Sequence, residues 1–176
     1  MQRYIQEKYN FSNYQMKQLA YVLKTILAET SKIIILLILF HNNILQCLYT
    51  ILLLSLLRTS AGGIHFHSYW SCLIATIVFF ALNILILPNI PFPEHIEICL
   101  LCACGIINYK YAPITAPGHI ELPISTIHRS KLKAFATIEI YAAILYILPR
   151  NQYIQIGFWI IIIHTLQLII AKIKQT

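Results

Sequence analysis

Six apolar runs separated by short polar breaks constrain this chain more than any other feature. They read approximately as residues 19–41, 44–57, 69–88, 95–109, 133–149 and 152–171. A helix needs about 20 apolar residues to cross a bilayer, and about 17 at the least. The third and sixth runs clear that limit. The second and fourth are short and are expected to be tilted, broken or partly re-entrant. The first carries Lys24, Glu29 and Lys32, which puts its early turns near the interface. One soluble core cannot hide so many apolar runs. The chain is 59% hydrophobic and only 11% charged, about half the charge of a soluble domain. The expected fold is an all-α integral membrane protein of about six hydrophobic helical segments.

The charges support this reading. The formal net charge is +7, but the basic residues fall at the ends of apolar runs and form no nucleic-acid patch. That is the pattern of the positive-inside rule. With the N-terminus inside, His41-Asn42-Asn43 turns outside and Arg58 returns inside. Pro88 to Glu94 lies outside; Lys110, Arg129, Lys131 and Lys133 lie inside; Lys172 and Lys174 end inside. Only Arg150 falls on the wrong side. A rival reading makes 33–57 one long span and scatters positive charge on both sides. The first 18 residues alternate Tyr4, Ile5, Tyr9, Phe11 and Tyr14 with Arg3, Glu7, Lys8 and Lys17. They lack the apolar core of a secretory signal and read as an interfacial amphipathic helix. The expected organisation is therefore this segment, 1–18, followed by one polytopic membrane domain, 19–176.

Some chemistry is excluded. The chain has no aspartate, so a Ser-His-Asp site, an aspartyl phosphatase and an Asp-rich magnesium or calcium site are ruled out. The five cysteines are odd in number, and Cys47, Cys99, Cys102 and Cys104 lie inside apolar runs. No extracellular disulfide framework is readable. Pro113, Pro117, Pro123 and Gly118 keep 111–124 irregular, because proline lacks a donor and resists helix interiors.

The segment from Arg58 to Cys72 stands apart. It holds the only Gly-Gly pair, Gly62-Gly63, with His65 seven residues before Cys72 and Arg58 seven residues before His65. Only a thiolate is a good nucleophile, and an ordinary cysteine is mostly thiol at neutral pH. Two devices could stabilise the anion here. Ser68 is a plausible N-cap, which would put Cys72 at the end of a first helical turn, where the helix dipole favours negative charge. A neighbouring imidazole can also take the proton and form a thiolate–imidazolium pair. On one straight helix a seven-residue separation spans about 10.5 Å, long for such a contact. The pair works better if the histidine lies on a loop folded back over the helix start, which the glycines allow. His65 and His67 compete for this role, and spacing does not choose between them. Arg58 is either a membrane anchor or a clamp for a substrate carboxylate, which guanidinium grips in bidentate fashion. Equally, Cys72 could be a small buried core residue. The candidate site is a loop-helix at 58–75.

Arg58, Gly62-Gly63, His65 and Cys72, at these spacings, resemble the signature of the accessory gene regulator B family. Tyr111-Ala112-Pro113 resembles that family's Tyr-Ala-Pro motif, and length and hydropathy order fit along nearly the whole chain. The resemblance implies a membrane cysteine endopeptidase that processes a quorum-sensing propeptide. It implies His65 and Cys72 as the catalytic dyad, with Arg58, Gly62, Gly63, Tyr111 and Pro113 binding substrate or supporting the site. It implies a bacterial cell-membrane location, and the Lys/Arg placement puts the site on the cytoplasmic side. The acyl group would pass from Cys72 to a Cys or Ser of the same peptide, closing a thiolactone or lactone. Where the family often continues with acidic and Asn-Lys-Pro residues, this chain has Ile114-Thr-Ala-Pro-Gly-His-Ile-Glu-Leu-Pro123-Ile124. The departure bears on propeptide specificity rather than on the chemistry.

Other residues were candidates for other functions. Cys99-Leu-Leu-Cys102 would suit a membrane thiol–disulfide oxidoreductase, but no flanking charge favours a thiolate there. A small permease or export subunit would leave the Arg–Gly-Gly–His–Cys cluster without a purpose. Zinc needs four closed ligands, or three plus water, and no such set is readable, so no metal and no cofactor are expected. Glu29 and Glu139 are acids in apolar surroundings, where ionisable residues are costly. Either could orient the histidine, and Glu29 could instead pair with Lys32. His164 reads as a hydrogen-bonded interhelical residue. The expected partners are the bilayer and an amphipathic propeptide, with no nucleic acid and with a homodimer left open.

Overall fold

Each of the six apolar runs folds as a helix, and each boundary has a local cause. The structure, a computed structural model, describes residues 12–64, 68–90, 92–114 and 123–175. Most of the expected amphipathic segment, and both His65 and His67, therefore lie outside the described residues. The chain divides into two compact units, Met1–His41 and Asn42–Thr176.

The first unit contains α1, Asn13–Leu39. A capping box starts it: the Gln15 N–H donates to Ser12 Oγ at 3.2 Å, and the Ser12 N–H donates to Gln15 Oε1 at 2.9 Å. Two otherwise orphaned amides are satisfied in this way. The helix runs through residue 18 without a break. Glu29 and Lys32 pair within it at 2.6 Å. The polar triplet His41-Asn42-Asn43 then forms a short 3₁₀ turn instead of continuing the helix. His41 Nδ1 lies 3.2 Å from the Ile38 carbonyl, one of the acceptors a helix end leaves open.

The second unit begins with α2, Ile44–Ala61. It is longer than the run 44–57, because Arg58-Thr59-Ser60 continues the helix. The Thr59 hydroxyl donates to the Leu56 carbonyl at 3.0 Å, and the Ser60 hydroxyl to the Leu56 and Leu57 carbonyls at 3.1 Å each. Their hydroxyls are thus satisfied inside the helix. Arg58 therefore sits on the last helical turn, not in a loop. Next comes α3, Tyr69–Ala81, which loosens into a π turn, Leu82–Ile86, and a 3₁₀ turn, Leu87–Asn89. Buried Asn83 donates to the Phe79 carbonyl at 2.7 Å, and Pro88 supplies no amide, so the regular ladder fails there.

Helix α4, Glu94–Tyr111, starts after Pro93 with Glu94 and Glu97 in its first turn and Lys110 in its last. Both placements suit the helix dipole. Helix α5, Ile124–Ile147, starts directly after Pro123, well before the apolar run at 133. Arg129, Lys131 and Lys133 are therefore helical residues on its first turns. Helix α6, Gln152–Gln175, is capped by Asn151, whose Oδ1 accepts the Ile154 N–H at 3.0 Å.

Among the described residues, three stretches are long and apolar enough to cross a membrane: His41–Ala61, Tyr69–Asn89 and Gln152–Lys174. Among the described residues there is no β-strand, only one isolated bridge. The chain is an all-α membrane protein. Helix α6 packs against α2, α4 and the loosened end of α3 and accepts the Tyr141 hydroxyl of α5 at the Ile154 carbonyl; 56% of its apolar window is buried, against 28% for Tyr69–Asn89. Ile156, Phe158, Ile160, Ile161 and Leu168 of α6 are fully enclosed.

Candidate active site

The C-terminal ends of α2 and α4 meet at Gly62. Helix α2 stops there because Gly62 turns into the left-handed region, with φ +81°. Its N–H still donates to the Arg58 carbonyl at 3.0 Å. A Cβ at this position would run into the Ile114 carbonyl, so the turn needs glycine for both backbone angle and space. Gly62 forms an isolated parallel bridge with Ile114, and the Ile114 N–H donates to the Ala61 carbonyl at 3.0 Å. Helix α4 ends just before this contact: Ala112 closes it by donating to the Asn108 carbonyl at 2.9 Å, and Pro113 prevents continuation. The two sequence motifs, Arg58 to Gly63 and Tyr111 to Pro113, thus join through backbone.

A small apolar cluster backs the junction. Ala61, Ala112 and Ile114 pack with Ala134 of α5 and with Leu168 and Ala171 of α6, and Ile64 and Tyr111 lie against them. The alanines allow the close approach that the bridge requires. From α6, His164 completes the junction, with Nε2 3.1 Å from the Gly62 carbonyl and only 1% of its surface exposed. A carbonyl can only accept, so Nε2 carries the proton. Sequence reading expected a hydrogen-bonded interhelical histidine, but not that its acceptor would be a carbonyl of the Gly-Gly turn. Measured along α6, His164 lies about 15 Å from Lys174 at 1.5 Å per residue.

Arg58 is exposed. Its side chain folds alongside Gly63: a Cβ built on Gly63 would stand 3.8 Å from Arg58 Nε, an ordinary contact. The two glycines therefore differ. Gly62 is required by the fold, whereas Gly63 has room for a methyl group.

Four residues after Ile64 the chain enters α3 at Ser68, an extended N-cap with φ −111° and ψ 139°. The Ser68 side chain makes no capping bond, but its carbonyl accepts the Cys72 N–H at 3.1 Å and the Ser71 hydroxyl at 2.9 Å. Cys72 closes the first turn of α3 and is half-buried. That position lies within the first turn of a helix, the end that carries partial positive charge. The two candidate imidazoles belong to 65–67, outside the described residues.

The remaining candidates have other commitments. Glu29 is held by Lys32. Glu139 lies on α5 against α4, with Oε2 3.9 Å from Cys102 Sγ and Oε1 over Gly105. Cys99 is exposed and Cys102 half-buried, and they form no disulfide. A carboxylate neighbour offers Cys102 no cation to hold a thiolate. Among the described residues, no group of three or more His, Cys, Asp or Glu side chains could hold a metal ion.

The opposite ends of α4 and α6 carry a second arginine site. Arg150 Nη2 lies 3.1 Å from Glu97 Oε2 and donates to the Phe92 carbonyl at 2.8 Å. The Gln155 side chain donates to Glu97 Oε1 at 3.0 Å. Glu97 is fully buried, and Arg150 supplies a cation to its carboxylate.

The family model for accessory gene regulator B matches residues 1–168. No curated protein and no solved structure matches the chain significantly.

Proposed function

The chain belongs to the accessory gene regulator B family, a membrane protein of that regulatory system, and on this premise we propose that it is a membrane cysteine endopeptidase acting on an autoinducer propeptide. Cys72 is the nucleophile and His65 the base. Cys72 Sγ attacks the scissile carbonyl, the C–N bond breaks, and His65 returns the proton to the leaving amine. The N-terminal part of the peptide remains on Cys72 as a thioester. An internal Cys or Ser of that peptide then attacks the thioester carbonyl, closes a thiolactone or lactone, and releases the Cys72 thiol. Arg58 grips a substrate carboxylate; Gly62, Gly63, Tyr111 and Pro113 hold the framework around it.

The observation that carries this reading is the position of Cys72. It closes the first turn of α3, directly downstream of a glycine turn fastened to the Tyr111–Pro113 motif. The site faces the cytoplasm in a multi-pass arrangement with both termini inside. The engagement of Arg150 by Glu97 supports that topology, because the one basic residue on the outer side is neutralised by its partner. At a membrane edge, water is scarce and the thioester survives until the internal nucleophile arrives.

Cys72→Ala and Cys72→Ser are both expected to abolish propeptide cleavage while the protein still accumulates in the membrane. Ordinary turnover by Cys72→Ser would refute the nucleophile assignment. His65→Ala is expected to be as damaging as Cys72→Ala, and His67→Ala much milder; loss only at His67 would transfer the base to that residue.

A further inference from the structure

We propose that His164 is a positioning residue for substrate recognition: through Gly62 it fixes Arg58 to receive a carboxylate. The proposal rests on the reading of Arg58 as a carboxylate clamp and adds the residue that holds the clamp in place.

A short chain of contacts connects the two side chains. His164 Nε2–H donates to the Gly62 carbonyl at 3.1 Å. The Gly62 N–H donates to the Arg58 carbonyl at 3.0 Å. The Arg58 side chain lies alongside Gly63, the next residue of the same turn. One peptide turn thus carries the histidine's hold at one end and the guanidinium at the other. The turn has little freedom of its own, because Gly62 sits at φ +81° against the Ile114 backbone.

The histidine is costly where it stands. It is 1% exposed on the most enclosed of the three membrane-length stretches among the described residues, and its Nδ1 is buried without a hydrogen-bond partner among the described residues. A buried imidazole with one nitrogen unsatisfied is a poor choice for packing alone, since leaving a polar atom without a partner disfavours the folded state. Nε2 is the only ring atom with a defined task, and that task is the Gly62 carbonyl. Some donors in the core satisfy their own helix, as Asn83 and Thr165 do with carbonyls four residues back, and others reach a neighbouring helix, as Asn108 and Tyr141 do. His164 instead reaches across 102 positions of sequence to a turn that carries an exposed arginine.

Alkylation of Cys72 by a charged and a neutral reagent tests the assignment. Iodoacetate carries a carboxylate and iodoacetamide does not; in both, the cysteine sulfur attacks the same CH2 carbon and displaces iodide. The full chain is labelled in membranes, and the Cys72 peptide is quantified by mass spectrometry. The ratio of the two rates reads carboxylate recognition, and a general loss of structure would change both rates together. In the wild type, iodoacetate is expected to be favoured relative to the same chain unfolded, and Arg58→Ala should remove the preference. His164→Leu should lower the ratio roughly tenfold, the effect of one lost hydrogen bond. His164→Gln, whose amide reaches the Nε2 position, should stay within about threefold. His164→Asn is polar but too short and should behave like His164→Leu, so it carries the test if the leucine variant does not accumulate. Adding His164→Leu to Arg58→Ala should lower the ratio no further, because both act through one group. A wild-type ratio in His164→Leu and His164→Asn, with the ratio lost in Arg58→Ala, would overturn the positioning role and leave the clamp. An unchanged ratio in Arg58→Ala would overturn the clamp and this proposal with it.

Discussion

The molecule has two arginine sites at opposite ends of α4 and α6, and they are built differently. At one end Arg150 meets the fully buried carboxylate of Glu97, the Phe92 carbonyl lies beside them, and Gln155 occupies the second carboxylate oxygen. That end is joined by side chains. At the other end Gly62, Ala61 and Ile114 are joined by backbone, His164 holds the turn from α6, and Arg58 lies exposed on its rim. The first arrangement spends its arginine on a partner within the fold. The second makes a rigid turn from backbone, with the arginine exposed beside it. On the proposed function the first arginine closes a fold and the second serves a substrate, and the two differ in what the surrounding backbone does.

Substitutions can break that comparison. Arg150→Leu should have the largest effect, because it leaves a buried carboxylate without its cation. Breaking such a pair costs about 3–5 kcal/mol, to be seen as lower thermal stability in detergent and poorer accumulation. The molecules that do fold should still alkylate Cys72 at the wild-type rate. Gly62→Ala comes next. It puts a Cβ into the Ile114 carbonyl at a left-handed backbone angle, which should cost about 1–3 kcal/mol and impair cleavage as well. Arg58→Lys keeps the charge but loses the planar fork. Its thermal stability should stay within about 0.5 kcal/mol of wild type, while cleavage falls roughly tenfold, the value of one hydrogen bond. Gly63→Ala should be mildest, within about 0.5 kcal/mol, since a Cβ there meets Arg58 at ordinary distance. A Gly63→Ala as destabilising as Gly62→Ala would contradict the distinction between the two glycines.

Much of this was legible from local sequence. The six apolar runs are six helices, the His41-Asn42-Asn43 break is a real turn, and Ser68 takes the N-cap position of the helix that carries Cys72, although its side chain makes no capping bond. Errors arose where polar residues keep helical form. Arg58-Thr59-Ser60 read as a loop, yet its hydroxyls bond back to the preceding turn. Residues 129–132 read as lying before the apolar run that starts at 133, yet they are helical, because lysine and arginine are good helix formers on an exposed face. Long-range pairings left no local mark. The partner of Arg150 lies 53 residues away and that of His164 lies 102 residues away. The one available hint was a histidine inside an otherwise apolar run, and it pointed to a hydrogen bond without naming the acceptor.

The central claim is that Cys72 carries the peptide as a thioester between cleavage and ring closure. Intact-mass analysis of the enzyme, incubated with a propeptide whose internal Cys or Ser is replaced by Ala, tests it most directly. The account predicts an adduct on Cys72 equal in mass to the propeptide's N-terminal part less water, absent in Cys72→Ala and discharged by hydroxylamine. Clean hydrolysis with no adduct, and no cyclic product from the native propeptide, would contradict it.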